Sequence, residues 1–236
     1  MILEDSSSNA EVNGESYVGG IAGNQNYGLV FNNVNYGNVN GDDTVGGITG
    51  FSRQSGKIYN NMNYGDISGN INVGGITGLC SIESVMDDPT TVANCINLGT
   101  VSSDNPESAG SICGYNECSV INNYWLYDPD KGLGMEIGVN DADGAFSDSY
   151  PLTESLLKGE SSTVPFYVSG DDSYYEIADA LTAWAADNSG DALWLSMILN
   201  GWRYSASTGY PELTDEAAVK PDGGLGLEPV FEIKPS

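Results

Sequence analysis

The chain has 236 residues and no histidine, so it lacks the side chain that most often serves as a general base or metal ligand. No Ser-His or Cys-His pair can form, and no Gly-x-Ser-x-Gly, phosphate-loop or Gly-x-Gly-x-x-Gly motif occurs. Paired carboxylates could still hydrolyse glycosidic bonds. In the repeats described below they do not line up, because Asp66 aligns with Asn38 and Thr100. We therefore predict a protein that is not an enzyme, with a polysaccharide-active enzyme kept as an alternative.

One acidic segment, residues 139–144, has part of the spacing of a calcium-binding loop. In that register Asp141 and Asp143 occupy ligand positions and Gly144 the glycine position, but Val139 and Tyr150 occupy the first and last ligand positions. These two mismatches favour a plain acidic turn over a calcium site. We predict no metal site and no cofactor.

The cysteines are too few for a disulfide framework in a chain of this length. There are four of them, and no pair has the tight spacing of a thiolate zinc site. Free thiols and one or two disulfides both remain open for Cys80, Cys95, Cys113 and Cys118.

The charge balance excludes several classes of partner. With 7 basic and 33 acidic residues the formal net charge is -26, which repels nucleic acid and anionic polysaccharides. An apolar content of 40% is too high for a disordered chain.

No segment resembles a transmembrane span or a signal peptide, so we expect no direct membrane insertion. Residues 11–14 match residues 38–41, which suggests that the sequence begins inside a further repeat of a larger parent chain.

Two phrases recur along the first half of the chain. Val-Gly-Gly-Ile-(Ala/Thr)-Gly begins at residues 18, 45 and 73, with a looser copy at residue 109, so the copies are 27, 28 and 36 residues apart. Asn-x-Asn-Tyr-Gly-x-(Val/Ile) follows at residues 33–39 and 61–67, with a weaker copy at 95–101. A fixed period of this length is typical of stacked repeats.

Alternation with period two predicts strands in each copy. It places Ile58, Asn60, Met62 and Tyr64 on one face, which we predict to be the interior. The aligned asparagines would then form a ladder in which each amide bonds its counterparts in neighbouring coils. Alternatively, the asparagines lie at turns and point outward. The four residues are Asn32, Asn60, Asn94 and Asn122.

The opposite face carries aromatic residues that could bind a ligand. Phe31, Tyr59 and Trp125 are the candidates, because an outward aromatic stripe can stack on sugar rings or on a partner protein. A host glycan or a surface protein would be such a partner. The competing hypothesis is that the C-terminal half, or the loop at residues 81–91, covers this stripe.

Together these patterns predict a mainly β protein built around a right-handed parallel β-helix of about four coils, each with three short strands, over residues 8–127. A small α+β cap is predicted over residues 128–213 and is expected to cover the end of the β-helix. Its signals are a cap at Thr153, a capping box at residues 173–176 and a hairpin turn at Asn200 and Gly201. Residues 214–236 resemble an acidic, Pro- and Gly-containing linker or the start of a next element, with a candidate strand at 230–233.

The two repeated phrases resemble the GLUG-motif repeat of large bacterial surface proteins, which also occurs as an accessory module in some immunoglobulin A1 proteases. The resemblance covers roughly residues 8–126. It implies a cell-surface or extracellular location and a role in adhesion or as a spacer, and it implies no catalytic residue. A carbohydrate-binding module is the alternative function.

Overall fold

The computed structural model describes residues 1–81, 89–127, 137–140, 144–163, 165–169, 172–192 and 195–221. In these residues most strands belong to five parallel sheets, each of which contains one strand from successive coils. The predicted β-solenoid is therefore confirmed, but it has about five turns where the sequence predicted about four.

We name the sheets A to E in the order in which the chain enters them. Sheet A contains Ile2–Glu4, Leu29–Phe31, Lys57–Tyr59, Thr91–Ala93, Ser119–Ile121 and Ala145–Ser147. Sheet B contains Ser7–Ser8, Val34–Asn35, Met62–Asn63, Ile96–Asn97, Tyr124–Leu126 and Tyr150–Leu152. Sheet C contains Val12–Asn13, Val39–Asn40, Ile67–Gly69 and Val101–Ser103. Sheet D contains Ser16–Gly19, Asp43–Gly46, Ile71–Gly74 and Ala109–Gly110. Sheet E contains Ala22–Asn26, Thr49–Arg53, Thr77–Cys80, Cys113–Asn116 and Ile137–Asn140.

Each complete coil therefore has five short strands and not the three that the sequence predicted. Between sheets A and B the strands break at a corner residue with positive φ, such as Asn32 at 56°. A residue in this left-handed region ends one strand and lets the next begin in a new direction. What looks like a single strand at residues 58–64 is in fact two strands joined at Asn60.

The corner between sheets A and B recurs in every coil. Its six residues all have φ between 48° and 58° and are Asp5, Asn32, Asn60, Asn94, Asn122 and Asp148. Asn and Asp tolerate the left-handed conformation better than other residues with a side chain. The left-handed backbone conformation thus explains why only Asn and Asp occupy this corner.

This corner changes which side chains face the interior, so the predicted interior face is correct before Asn60 and wrong after it. Ile58 and its aligned neighbours in sheet A do point inward. After Asn60 the alternation resumes in the opposite phase, because the left-handed residue reverses the side-chain direction. Met62 consequently points outward and packs against the C-terminal half, while Asn61 and Asn63 point inward and are fully buried.

The parallel sheets extend beyond the predicted range 8–127 at both ends. Ile2–Glu4 pairs with Leu29–Phe31 at one end. At the other end, Tyr150–Leu152 pairs with Tyr124–Leu126. These end coils lack the Asn-x-Asn-Tyr-Gly phrase, so the repeat pattern does not reveal them.

The glycine of the Asn-Tyr-Gly phrase is required by the close stacking of coils. A Cβ on Gly65 would overlap the carbonyl oxygen of Gly37, and a Cβ on Gly99 would overlap that of Gly65. None of these three has positive φ. The constraint is therefore the distance between neighbouring backbones and not an unusual backbone conformation.

The C-terminal half forms an α+β unit. Its helices are Glu154–Leu157 and Ile177–Asn188, and its strands are Phe166–Ser169, Asp172–Tyr174, Gly190–Ala192, Leu195–Met197, Asn200–Tyr204 and Pro211–Ala217. A separate 3-10 helix, Pro106–Ser108, belongs to the solenoid and lies between sheets C and D.

Some local predictions for this unit are confirmed and others are wrong. Thr153 caps the first helix by accepting a hydrogen bond from the Leu156 amide. The predicted capping box does not form, because Ser173 belongs to a strand and the second helix begins at Ile177 without a side-chain cap. Asn200 also lies within a strand and not in a hairpin turn. The segments at 141–143 and 230–233 lie outside the described residues.

The unit packs along the side of the solenoid and not over its end. Its helices and strands form one apolar cluster with the outward residues Met62, Ile96 and Tyr124 of sheet B. These outward columns are apolar over several coils, and burying apolar surface contributes about 25 cal/mol per Å². Covering the flank therefore removes these apolar columns from water. No helix among the described residues is long and apolar enough to cross a membrane.

A disulfide joins Cys80 to Cys118, with their Cα atoms 5.8 Å apart. It links the end of the third strand of sheet E to the turn that follows the fourth. Cys95 and Cys113 are buried and lie outside this disulfide. Of the possibilities left open by the sequence, the structure thus has one disulfide and two cysteines in the thiol form.

The coil-stacking glycines can be tested directly. We expect Gly65→Ala to lower the free energy of unfolding by about 2–3 kcal/mol, because the added methyl group must push two coils apart. Gly201→Ala is the matched control, since the nearest atom to its added Cβ is Thr214 Oγ1 at 3.5 Å. Urea unfolding followed by tryptophan fluorescence measures both changes. Equal losses in the two variants would contradict this explanation.

Candidate functional site

The corner asparagines form a continuous amide ladder. Asn60 Nδ2 donates to Asn32 Oδ1 at 2.8 Å, Asn94 Nδ2 to Asn60 Oδ1 at 2.7 Å, and Asn122 Nδ2 to Asn94 Oδ1 at 2.8 Å. These asparagines lie at turns, as one of the two hypotheses from the sequence predicted. Their amides also bond from coil to coil, as the ladder hypothesis predicted. They differ from the predicted ladder in facing the C-terminal unit and not the solenoid interior.

The same ladder is the polar seam between the solenoid and the C-terminal unit. Asn60 Nδ2 also donates to the Asn200 carbonyl at 2.9 Å, and Trp202 Nε1 donates to Asn60 Oδ1 at 2.6 Å. Asn94 Nδ2 donates to the Leu181 carbonyl at 3.0 Å. The seam satisfies buried amide groups on both sides, which a purely apolar interface could not do.

The predicted ligand-binding stripe is not an open surface. Phe31 is 1% exposed and lies in a cluster with Trp184, Met197 and Leu199 of the C-terminal unit. Tyr59 packs edge-to-face on Trp184, with ring centroids 5.5 Å apart. The competing hypothesis, in which the C-terminal half covers the stripe, describes the structure.

Trp125 lies in sheet B and points into the solenoid interior, whereas Phe31 and Tyr59 lie in sheet A and point outward. It is 3% exposed and belongs to the interior cluster of the solenoid, together with Val120. It aligns with Asn97, which faces inward because the corner reverses the alternation. Trp125 therefore cannot share a binding surface with the other two candidates.

Two further asparagine ladders lie inside the solenoid. Asn35 Nδ2 donates to Asn63 Oδ1 at 2.9 Å, and Asn63 Nδ2 donates to Asn97 Oδ1 at 2.8 Å. In the second ladder, Asn33 Nδ2 donates to Asn61 Oδ1 at 3.0 Å. Unbroken alternation through the corner, on which the sequence prediction depends, puts the first of these columns on the same outward face as the aligned Trp125, and that prediction is wrong.

Cys95 occupies a position that is asparagine in the adjacent coils of the second interior ladder. The backbone N–H of Asn61 donates to Cys95 Sγ at 3.4 Å, in the place where an asparagine would offer its side-chain oxygen. The thiol in turn donates to the Ala93 carbonyl at 3.2 Å. Burial raises the pKa of this thiol to about 12. The group therefore stays protonated and acts as a weak hydrogen-bonding member of the ladder.

An open groove lies between sheet B and the hairpin of the C-terminal unit that is formed by Asn200–Tyr204 and Pro211–Ala217. We call it the tyrosine groove; it has a volume of about 190 Å³ and is lined by Val34, Tyr36, Met62, Tyr64, Arg203, Glu212 and Leu213. The tyrosines belong to successive coils and stack with centroids 5.0 Å apart and 13° between ring planes. Tyr36 is 50% exposed, so part of its ring remains open to solvent.

Charged groups from the hairpin form the opposite wall of the tyrosine groove. Arg203 Nε donates to Glu212 Oε1 at 2.9 Å. Burial, followed by the neighbouring Tyr36 hydroxyl and the Glu212 carboxylate, raises the pKa of Tyr64 to about 12. The Tyr64 hydroxyl is therefore protonated at neutral pH and stands beside an ionised pair.

A second, wider groove runs across the turns between sheets C and D. It has a volume of about 320 Å³, and its walls are polar and glycine-rich: Asn40, Gly41, Asp42, Ser68, Gly69, Asn70, Ser102, Ser103 and Asp104. Many of these groups bond within the stack; Ser68 Oγ, for example, donates to Asn40 Oδ1 at 2.6 Å.

Within the described residues, no group of three or more Cys, Asp and Glu side chains could hold a metal ion.

The aligned residues around Asp66 bond to one another across coils. Thr100 Oγ1 donates to Asp66 Oδ1 at 2.6 Å, and the Asp66 amide donates to Asn38 Oδ1 at 3.0 Å. This carboxylate thus satisfies groups of its neighbours within the stack.

The tyrosine groove was not predicted from the sequence, because unbroken alternation through Asn60 puts Tyr64, and the aligned Tyr36, on the interior face. The signal was present in the repeated tyrosine of the Asn-Tyr-Gly phrase. Had Asn32 been recognised as a left-handed corner, the phase of the following strand would have placed both tyrosines outside. The residues from the hairpin had no such signal, because their position depends on how the C-terminal unit packs.

Comparison with known protein families, with curated proteins and with solved structures finds no match for this chain.

The corner ladder predicts a graded loss of stability at Asn60. We expect Asn60→Gly to lower the free energy of unfolding by about 3–5 kcal/mol, because it leaves several buried partners unpaired while tolerating the positive φ. Asn60→Ala should cost about 1 kcal/mol more, because it adds left-handed strain. Denaturant unfolding measures the series, with the exposed Asn9→Ala as control. An Ala variant as stable as the Gly variant would remove the conformational part of the explanation.

The interior ladder predicts that Cys95→Asn stabilises the protein. The amide would offer an oxygen to the Asn61 backbone and a donor to the Ala93 carbonyl, for a gain of about 1 kcal/mol. Cys95→Ser is the matched control, because it is polar but too short to complete the ladder. Thermal unfolding of the three proteins under identical conditions decides the matter; a Cys95→Asn variant that melts below the unsubstituted protein would contradict it.

Proposed function

We propose that this chain is a non-enzymatic extracellular repeat module of a bacterial cell-surface protein, acting in adhesion or as a structural spacer. The observation that carries the proposal is a solenoid crosslinked between coils by the Cys80–Cys118 disulfide. Disulfides persist in oxidising compartments such as the cell exterior and are rare in the cytosol. Stacked coils contact only their neighbours, so such a module extends a chain along one axis.

The side-chain ladders support a rigid module. Three columns of asparagines bond from coil to coil, one at the surface seam and two in the interior. The C-terminal unit adds hydrogen bonds to the first column and covers the apolar flank. A spacer needs this resistance to bending and local opening, since load along the chain passes through every coil.

The remaining parts of the proposal rest on the sequence. The resemblance to GLUG-motif repeats supports the surface location and a place within a larger parent chain. The net charge of -26 favours partners other than nucleic acid. Direct insertion into a membrane and a bound cofactor form no part of the proposed function.

A carbohydrate-binding module is the second candidate, and one observation favours it. The tyrosine groove combines an accessible aromatic ring with an Arg–Glu pair, the combination of an apolar face and a few fixed polar groups that small-ligand sites use. If the groove binds a sugar, the module belongs to the adhesive class and not to the purely structural one.

The proposed location predicts the oxidation state of the cysteines. Native protein isolated without reductant and alkylated after unfolding should take up label at Cys95 and Cys113 but not at Cys80 and Cys118 until reduced. Mass spectrometry of the peptides measures this. A Cys80→Ser/Cys118→Ser double variant is the control; because the bond spans 38 residues of sequence, it should be less stable by about 3–4 kcal/mol.

Surface location is tested on the cells themselves. An antibody against this module should label intact cells of the source bacterium, and brief external proteolysis should remove the label. A cytoplasmic protein serves as the control for lysis. Labelling that requires broken cells, or four reactive thiols in the native protein, would contradict the proposal.

A further inference from the structure

We propose that the tyrosine groove binds a single neutral hexopyranose unit of a glycan. This inference rests on the adhesive form of the proposed function and gives it a site and a ligand class. The residues that would contact the sugar are Tyr36 and Tyr64 on the solenoid side and Arg203 and Glu212 on the hairpin side.

The aromatic wall suits the apolar face of a pyranose ring. Tyr64 covers one face of the Tyr36 ring, and the residue aligned with Tyr36 in the first coil is Asn9, whose exposed side chain cannot continue the stack. Tyr36 therefore keeps half of its surface open. The C–H groups on one face of a hexopyranose can pack against this open aromatic surface.

The polar wall suits the hydroxyl groups of a sugar. The bond to Glu212 holds the Arg203 guanidinium in place and uses only one of its five N–H donors. The hydrogen bond from Ser205, together with the Arg203 charge, lowers the pKa of Glu212, so its carboxylate is an ionised acceptor. A donor and an acceptor side by side match vicinal hydroxyl groups, which both donate and accept.

Charge selects a neutral sugar over an acidic one. The cation of Arg203 is balanced within the groove by Glu212, so no positive charge is left over for a carboxylate ligand. The chain as a whole carries a net charge of -26, which repels uronates and sialylated glycans. A carboxylate group on the sugar would thus be repelled by the protein without a cation to compensate it.

The size of the groove selects one ring. Sites for drug-sized ligands have volumes of about 300–1,000 Å³, whereas the groove has about 190 Å³. One pyranose ring can enter while the rest of the glycan extends into solvent. Specificity for a terminal or branching unit follows from this geometry.

The test is saturation-transfer NMR on the whole chain with the methyl glycosides of glucose, galactose and mannose, and with glucuronic acid as the acidic counterpart. We expect transfer to the ring protons of at least one neutral glycoside and none to glucuronate. Tyr36→Ala should weaken that binding at least about fivefold, which corresponds to the loss of one aromatic contact. Arg203→Met, which keeps the apolar stem but removes the donors, should weaken it similarly.

The control is Tyr127→Ala, which removes an equally exposed tyrosine outside the groove and should leave binding unchanged. The unfolding midpoint of each of the three variants is measured as well; we expect all three to retain the fold, because the substituted side chains are about half exposed or more. Absence of binding to every neutral glycoside, binding of glucuronate alone, or unchanged binding by Tyr36→Ala would each overturn the inference. If intact cells are nevertheless labelled by the antibody, the surface module stands and its role is that of a spacer.

Discussion

The left-handed corner between sheets A and B is the constraint on which the rest of the structure depends. Its asparagines adopt positive φ, which most other side chains disfavour, and their amides bond from coil to coil. Each corner turns the chain and reverses the direction of the following side chains. The composition of the interior, the position of the C-terminal unit and the exposure of the tyrosines all follow from that reversal.

The reversal leaves apolar side chains on the outside of the solenoid. Val34, Met62 and Ile96 point away from the interior, and a bare stack would expose them over several coils. The C-terminal unit removes this surface from water, and its Trp202 and Asn200 bond the same asparagines that caused the reversal. One residue type thus creates the flank and supplies the polar contacts by which that flank is covered.

The C-terminal unit does not fully cover the solenoid at the edge of their contact, and the candidate site lies at that edge. The hairpin approaches the solenoid near Tyr36 and Tyr64 but leaves a groove in which an aromatic stack faces the Arg203–Glu212 pair. The stripe formed by Phe31 and its neighbours is buried more deeply under the helix and cannot serve the same purpose. Binding capacity in this molecule therefore belongs to the boundary between two packed parts and not to either part alone.

The sequence by itself determined the repeat, the parallel stacking and the aligned column of four asparagines, because identical residues at a fixed period must occupy equivalent positions in successive coils. Only the tertiary structure decided which face is interior, that Trp125 is buried, and where the C-terminal unit lies. The physical reason is that one backbone dihedral at Asn60 reverses the alternation, and that hairpin residues such as Arg203 are brought to the solenoid by packing, which no local pattern encodes.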